Sequence, residues 1–197
     1  MSGLTWEDVS GGVGLRVTVP VTMGPDEAAR ELAPRLSALA GVRATASSGE
    51  AGARPGVPVV TIDGYSGSGK STLAAALTPL LPGWQVLHLD DWYPGWDGLA
   101  EGAHIARRIA ADLRGGRASS YEAWDWEAGI TGATIRVPLA PTIIEGCGAI
   151  EAEADLVIWI ADPGEDERRS RALARDGQTY APHWQRWADQ DLGRPVK

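Results

Sequence analysis

The sequence predicts an α/β fold in which a mostly parallel sheet carries helices on both faces. Two observations indicate it. From residue 57 onward, short β-branched runs alternate with segments of helical periodicity, which is the pattern of strands joined by crossover helices. The chain also has 197 residues, enough for one domain with a sizeable core, or for one domain with an appendage.

The first 56 residues are predicted to be an N-terminal extension made of an edge strand, a helix and a linker. Residues 15–21 form a β-like run, which Pro20 restricts to an edge position or a strand end. Residues 25–40 show helical spacing of leucines after Pro25, and Gly41 is the predicted stop. Residues 44–57 are rich in Ala, Ser, Gly and Pro, as linkers are.

The main domain is predicted to span residues 57–197. Its strands are expected at residues 57–63, 84–89, 141–145 and 155–160. Its helices are expected at residues 71–77, 99–114, 164–175 and 181–191. Residues 118–126 and 133–137 are expected to pair as a hairpin across a turn at residues 129–132.

Composition and charge exclude several classes of protein. The formal net charge of −8 argues against a sequence-independent nucleic-acid binder, which needs a basic face. No apolar run approaches the length of a membrane span, and the first residues do not read as a secretory signal. Cys147 is the single cysteine, so an internal disulfide cannot form. We therefore expect a cytoplasmic protein with neither nucleic-acid nor membrane partners.

Residues 64–71, Gly-Tyr-Ser-Gly-Ser-Gly-Lys-Ser, fit the phosphate-binding pattern G-x-x-x-x-G-K-[ST] between a strand and a helix. Such a loop points backbone N–H groups at phosphate oxygens. Lys70 would neutralise the β- and γ-phosphates of a nucleotide, and the Ser71 hydroxyl would bind Mg²⁺. The alternative is a glycine-rich turn that binds nothing. It leaves unexplained why Lys70, the one lysine besides the C-terminal Lys197, stands there.

Acidic residues follow two other predicted strands. Asp90 and Asp91 come after the second strand, where ligands of open parallel sheets sit. We expect Asp90 to accept a hydroxyl proton or to bind Mg²⁺, ahead of Asp91. Glu145 ends the third strand and is a candidate for holding a metal-bound water. The alternatives are solvated loop acids for the pair and a turn-capping acid for Glu145.

The predicted helix at residues 164–175 carries arginines on one face. Arg168, Arg171 and Arg175 lie at positions i, i+3 and i+7. Such a stripe could close over a triphosphate and stabilise charge during transfer. A solvated helix paired with its own acidic first turn is the competing interpretation.

Five aromatic side chains flank the region expected to hold a phosphate acceptor, and any one of them could instead belong to the core: Trp92, Tyr93, Trp96, Trp124 and Trp126. A flat apolar wall suits a ring, so a neutral, hydroxyl-bearing cyclic acceptor is expected. The three histidines show no ligand or triad spacing and are interpreted as structural.

Together these motifs resemble the uridine kinase-like family of P-loop nucleoside and small-metabolite kinases. Residues 64–71 with Thr72 and Leu73 look like its phosphate loop. Residues 89–93 look like its Asp-x-aromatic-Tyr segment, whose first aspartate is the general base and maps to Asp90. Residues 124–126 stand where the family has its substrate-binding hairpin.

The later part of the chain continues this resemblance. Residues 144–146 match the family's Glu-Gly strand end, and residues 166–176 are similar to its lid helix. Two departures stand out: the nucleoside-reading Tyr and His of the hairpin are not evident, and residues 193–197 end without the family's fifth strand. Residues 15–21 are the candidate for a replacement edge strand.

The resemblance implies a P-loop NTPase three-layer α/β/α sandwich that uses ATP and Mg²⁺. The implied activity is transfer of the γ-phosphoryl group of ATP to a hydroxyl of a nucleoside-like or other cyclic metabolite. The nucleotide site comprises eight positions: Gly64, Ser66, Gly67, Ser68, Gly69, Lys70, Ser71 and Thr72. The alternatives are a nucleotide or sugar-acid kinase of the same fold and a regulator that binds ATP without transfer.

Overall fold

The computed structural model describes residues 3–8, 14–46 and 56–194. The strands are β1 (Thr5–Asp8), β2 (Leu15–Val19), β3 (Val59–Asp63), β4 (Gln85–His88), β5 (Ser119–Asp125), β6 (Ile130–Val137), β7 (Thr142–Glu145) and β8 (Leu156–Ile160). The helices are α1 (Pro25–Ala46), α2 (Lys70–Leu77), α3 (Leu99–Arg114), α4 (Glu165–Tyr180) and α5 (Trp184–Gly193).

Six strands form one sheet in the order β1-β2-β8-β3-β7-β4. The five strands from β2 to β4 in this order run parallel, and β1 joins β2 antiparallel. Parallel neighbours bring their carboxyl ends to the same edge of the sheet. Asp63, His88 and Glu145 end the three neighbouring strands β3, β4 and β7, so their side chains share that edge.

The sheet is buried on both faces, as its continuous apolar runs predict. On one face Val60, Ile62 and Ile158 pack with apolar residues of α1 and α2. On the other face Val59 and Ile144 pack with residues of α3, α4 and α5. The predicted α/β class with helices on both faces of a mostly parallel sheet is therefore confirmed.

The N-terminal segment takes part in the main sheet. β2 pairs in parallel with β8 from Leu15 to Val19, so the predicted replacement strand is present. It is the second strand of the sheet and not an edge strand, because β1 covers its outer side. β2 ends at Val19, since Pro20 cannot donate to the ladder.

Several local boundaries differ from the sequence prediction; α4, for example, continues to Tyr180 rather than ending at residue 175. Helix α1 does not stop at Gly41 but continues to Ala46, into the segment predicted as a linker. The hairpin turns at residues 126–129 rather than 129–132, because the Asp125 carboxylate accepts the amides of Glu127 (3.0 Å) and Ala128 (2.8 Å).

None of the helices in the described ranges combines the length and the apolar character that a membrane span needs.

Candidate active site

The predicted phosphate loop, residues 64–71, connects β3 to α2 at the carboxyl edge of the sheet. Gly67 and Gly69 both have positive φ, +79° and +110°. A Cβ on Gly67 would lie 2.2 Å from the carbonyl oxygen of Arg168, so the close approach of α4 requires glycine there. Gly69 at the N-cap offers no side-chain cap, and the amides of the first turn have no helical acceptor. This N-terminus is therefore suited to an anion.

Polar groups inside the loop are arranged around Lys70. Its Nζ donates to the carbonyl oxygens of Gly64 (2.8 Å) and Tyr65 (3.1 Å) and contacts Cys147 Sγ at 3.2 Å. Burial lowers the pKa of Lys70, but electrostatic interactions with Cys147, Asp191 and Asp63 outweigh it, so the net shift is upward. The ammonium group therefore stays charged at neutral pH.

Two hydroxyls of the loop have different environments. Ser68 Oγ is buried and finds no hydrogen-bond partner among the described residues. Ser71 is half-buried and follows Lys70 in the first turn of α2. The loop therefore still has hydrogen-bonding capacity for a ligand.

Asp90 lies on the short helical turn Leu89–Asp91 directly after β4. Within the described residues its carboxylate has no hydrogen-bond donor. Asp90 is exposed as a residue, while protein groups lie close around its carboxylate. Burial and the charge of Glu145 raise the pKa of Asp90, and the positive charges of Arg175 and Lys70 only partly offset that rise. Asp91 is exposed as well, but its carboxylate differs from that of Asp90 in accepting the Tyr121 hydroxyl at 3.5 Å.

Glu145 has a partner that the sequence analysis missed. Its Oε1 lies 2.5 Å from Nδ1 of His88, and the two residues face each other in the register of β4 and β7. This hydrogen bond is the main reason why the pKa of His88 lies above its ordinary value. The signal in the sequence was the position of His88 at the end of the strand that leads to Asp90.

The oxygen donors present suit Mg²⁺, which prefers carboxylate and hydroxyl oxygens together with nucleotide phosphates. Ser71, Asp90 and Glu145 are the residues that would hold it. Across the described ranges, no group of three or more His, Cys, Asp or Glu side chains could hold a metal ion alone. A magnesium ion here would therefore depend on the phosphates for most of its coordination.

The three arginines that were predicted to form a lid, Arg168, Arg171 and Arg175, have different environments. Arg168 is buried, donates to Asp162 Oδ1 at 2.8 Å and lies over the Tyr65 ring. Arg171 is exposed and pairs with Glu167. Arg175 pairs with Asp176 at 2.7 Å, and its charge acts on Asp90. Of the three, Arg175 is the arginine whose charge reaches the Asp90 carboxylate.

Two of the five aromatic residues lie in the core, and the other three are at least partly exposed. Trp92 is buried, and its Nε1 donates to the carbonyl of Gly102, so it does not wall an acceptor site. Tyr93 is also buried and donates to the Cys147 carbonyl at 2.7 Å, which places it in the core. Trp96 and Trp126 remain partly open, with ring centroids 4.7 Å apart.

Trp124 and Trp96 lie near the same loop. A Cβ on Gly95 would be 3.4 Å from Cζ2 of Trp124, so the indole lies against the loop after Asp90. Trp96 also stacks on His183 at 4.3 Å and on Tyr180 at 5.3 Å. The hairpin, the loop and the C-terminal helices therefore meet at Trp96.

The chain matches no family model and no curated protein. Among solved structures, it is similar to a protein described as a "possible uridine kinase" from Bacillus stearothermophilus. That structure is 20% identical, with 84% of this chain and 97% of the other covered and a TM-score of 0.44. A second is described as a "putative fructose transport system kinase" from Silicibacter sp. TM1040. It is 22% identical, with 78% and 86% covered and a TM-score of 0.43. Neither similarity assigns an activity to this chain.

Proposed function

We propose that the protein is an ATP-dependent kinase that phosphorylates a hydroxyl of a small cyclic metabolite, such as a nucleoside. The observation that carries the proposal is the pairing of two groups at one edge of the sheet. A glycine-rich loop with a charged, buried Lys70 lies beside Asp90, a carboxylate without a hydrogen-bond donor among the described residues. This is the combination that phosphoryl transfer to a hydroxyl needs.

Each residue has a distinct role in the proposed reaction. The amides of residues 69–72 and the Lys70 ammonium hold the β- and γ-phosphates. Asp90 accepts the proton of the acceptor hydroxyl, whose oxygen forms a bond to the γ-phosphorus while the bond to the β,γ-bridging oxygen breaks and ADP leaves. Arg175 compensates the charge that develops near Asp90. A magnesium ion bound to the phosphates would neutralise part of their charge.

Acceptor binding is assigned to the surface where the loop after β4 meets the hairpin. Trp96, Trp124 and Trp126 are the partly open aromatic groups there, and they would stack on a ring. No lysine is available in this region to bind an anionic acceptor, because Lys70 belongs to the phosphate loop. A neutral acceptor fits these residues better than a phosphorylated one.

The test is ADP release in the presence of Mg²⁺ and ATP with a panel of nucleosides, sugars, sugar acids and nucleotides. Acceptor-dependent ADP release that Asp90→Asn abolishes is the expected result. Turnover of phosphorylated or polycarboxylate acceptors alone would favour the nucleotide or sugar-acid kinase instead.

One observation favours a second candidate, a regulator that binds ATP without transferring phosphate. His88 already occupies Oε1 of Glu145, a carboxylate that would otherwise be open to a metal-bound water. ATP binding without ADP release for any acceptor would support this candidate over the kinase.

A further inference from the structure

Ser66, the third residue of the phosphate loop, is held entirely from the C-terminal part of the chain. Its amide donates to Asp191 Oδ2 at 2.7 Å. Its hydroxyl shares a hydrogen bond of 2.9 Å with the Tyr180 hydroxyl. Its carbonyl oxygen accepts from Arg168 Nη1 at 3.4 Å. All three polar groups of one loop residue are thus engaged by helices α4 and α5.

Asp191 is itself fixed by a chain of buried charges. Arg194 Nε donates to Asp191 Oδ1 at 2.6 Å. The same guanidinium donates to both carboxylate oxygens of Asp63, at 2.9 and 2.8 Å. Asp63 connects this network back to the loop, because its Oδ1 accepts a hydrogen bond from the amide of Gly64 at 2.6 Å. Both ends of the segment from residue 63 to residue 66 are therefore tied to Arg194.

Stability alone is a weak reason for such an arrangement. Asp63 and Asp191 are fully buried, and Arg194 is nearly so. Replacing a buried ion pair with packed apolar residues is often neutral or stabilising, because desolvation cancels most of the attraction. What the network does provide is one fixed geometry for the loop.

We propose that Asp191 and Tyr180 are positioning residues of the phosphate site, which hold Ser66 so that the loop is already shaped before nucleotide binds. The inference rests on the proposed function, since it takes ATP as the ligand. A loop that is ordered in advance does not lose its conformational freedom on binding, so more of the contact energy appears as affinity. Neither residue touches the nucleotide in this role.

The direction in which Asp191→Asn changes nucleotide affinity distinguishes a positioning role of Asp191 from an effect of its charge. The carboxylate is negative and close to Lys70, so its charge by itself weakens the binding of phosphate. If charge were its only influence, Asp191→Asn would tighten nucleotide binding. Both Asp191 oxygens accept hydrogen bonds, from Arg194 and from Ser66, and an Asn side chain can accept at only one. Positioning therefore predicts weaker binding.

Tyr180→Phe is the milder variant. It removes one hydroxyl and keeps the ring that stacks on Trp96. If the hydroxyl acts through Ser66, then Ser66→Ala should have the same effect, and the double variant should bind no worse than either single variant. Additive losses would show that the two hydroxyls act separately.

The experiment is calorimetric titration of wild type and variants with a non-hydrolysable ATP analogue and Mg²⁺, each shown to be folded by circular dichroism. We expect about tenfold weaker binding for Asp191→Asn and Tyr180→Phe, or about 1.4 kcal/mol. Asp189→Asn, an exposed change on the same helix, is the matched control and should bind as wild type.

The outcomes separate this inference from the proposed function. A wild type that does not bind the analogue overturns the proposed function. Binding that Lys70→Ala weakens, with unchanged affinity in Tyr180→Phe and unchanged or tighter binding in Asp191→Asn, overturns the inference alone. If Asp191→Asn does not fold, the double-mutant cycle of Tyr180→Phe and Ser66→Ala tests the inference on its own.

Discussion

The indole Nε1 of Trp126 donates a hydrogen bond of 2.7 Å to the main-chain carbonyl oxygen of Asp90. The tip of the hairpin is thereby tied to the residue proposed as the catalytic base. Trp126 is still 36% exposed, and its other ring contact is Trp96 from the loop after β4. The hydrogen bond therefore ties the hairpin to the loop that carries Asp90.

Trp126→Phe tests this connection. The variant keeps an aromatic ring but loses the donor, and a hydrogen bond of this kind contributes about 0.5–1.5 kcal/mol. We expect the Michaelis constant for the acceptor to rise about two- to tenfold, with little change in that for ATP. Steady-state kinetics with each substrate varied in turn measure this. An equal rise in both constants would assign Trp126 a general structural role.

Lys70→Ala should weaken the binding of a non-hydrolysable ATP analogue. The ammonium group is charged and buried in the loop, and losing a charged hydrogen bond costs about 1.5–3 kcal/mol, or about ten- to 150-fold in affinity. Calorimetric titration measures the change. Arg117→Ala, which removes an exposed cation from the pair with Asp112, is the control. Equal affinity for wild type and Lys70→Ala would contradict the nucleotide site.

Asp90→Asn should reduce turnover about 10²–10⁴-fold, because it removes the proton acceptor while keeping its shape. The affinity for the ATP analogue should change little. Asp91→Asn is the matched variant on the next residue, and we expect it to retain activity, since the Asp91 carboxylate already accepts the Tyr121 hydroxyl. The opposite ranking of the two would identify Asp91 as the base.

The pH dependence of turnover gives a second test of Asp90. A general base works only when it is deprotonated, so activity should fall as the pH drops through its pKa. Because burial and Glu145 raise the pKa of Asp90, this fall should occur at a higher pH than for an ordinary aspartate. A pH profile of kcat/KM measures it, and a profile with no acid limb would count against this base.

His88→Gln should reduce stability at low pH more than at high pH. The pKa of His88 is raised in the folded state by its hydrogen bond to Glu145, so its stabilising effect is fully present below its unfolded pKa, about 6.5. That effect is lost as the pH rises through the higher folded pKa. Urea unfolding of both proteins at about pH 5.5 and about pH 9 measures the difference. The same loss of stability at both values would refute the charged pair.

Val17→Ala tests whether the N-terminal strand β2 is integral to the six-stranded sheet. Val17 lies on β2 and is fully buried, so losing two methyl groups should cost about 2–3 kcal/mol of unfolding free energy. Val21→Ala makes the same change at a position that is 57% exposed and should cost little. We expect one cooperative transition that shifts only for Val17→Ala. Unchanged stability of that variant would mean that residues 1–56 behave as an appendage.

The sequence predicted the strands, the helices and the phosphate loop because these depend on neighbouring residues. Helix α3 was placed at its observed bounds from the spacing of its apolar residues. The C-terminal end of α1 and the position of the hairpin turn were missed, since Gly41 is tolerated inside a helix and the Asp125 carboxylate accepts the amides that set the turn. β1 was not predicted at all; its four residues are mostly exposed and carry no apolar alternation.

What the sequence by itself determined is the local chemistry: a loop of glycines before Lys70, and carboxylates at the ends of predicted strands. What only the tertiary structure decided is which distant groups meet. Trp92 and Tyr93 are buried in the core, while Trp96 and Trp126 remain partly exposed. The sequence pattern did not distinguish these four aromatic residues. Arg194 lies on Asp63 across 131 positions of the chain. The periodicity of apolar residues predicts which residues are buried, but the order of strands in the sheet determines which residues they contact.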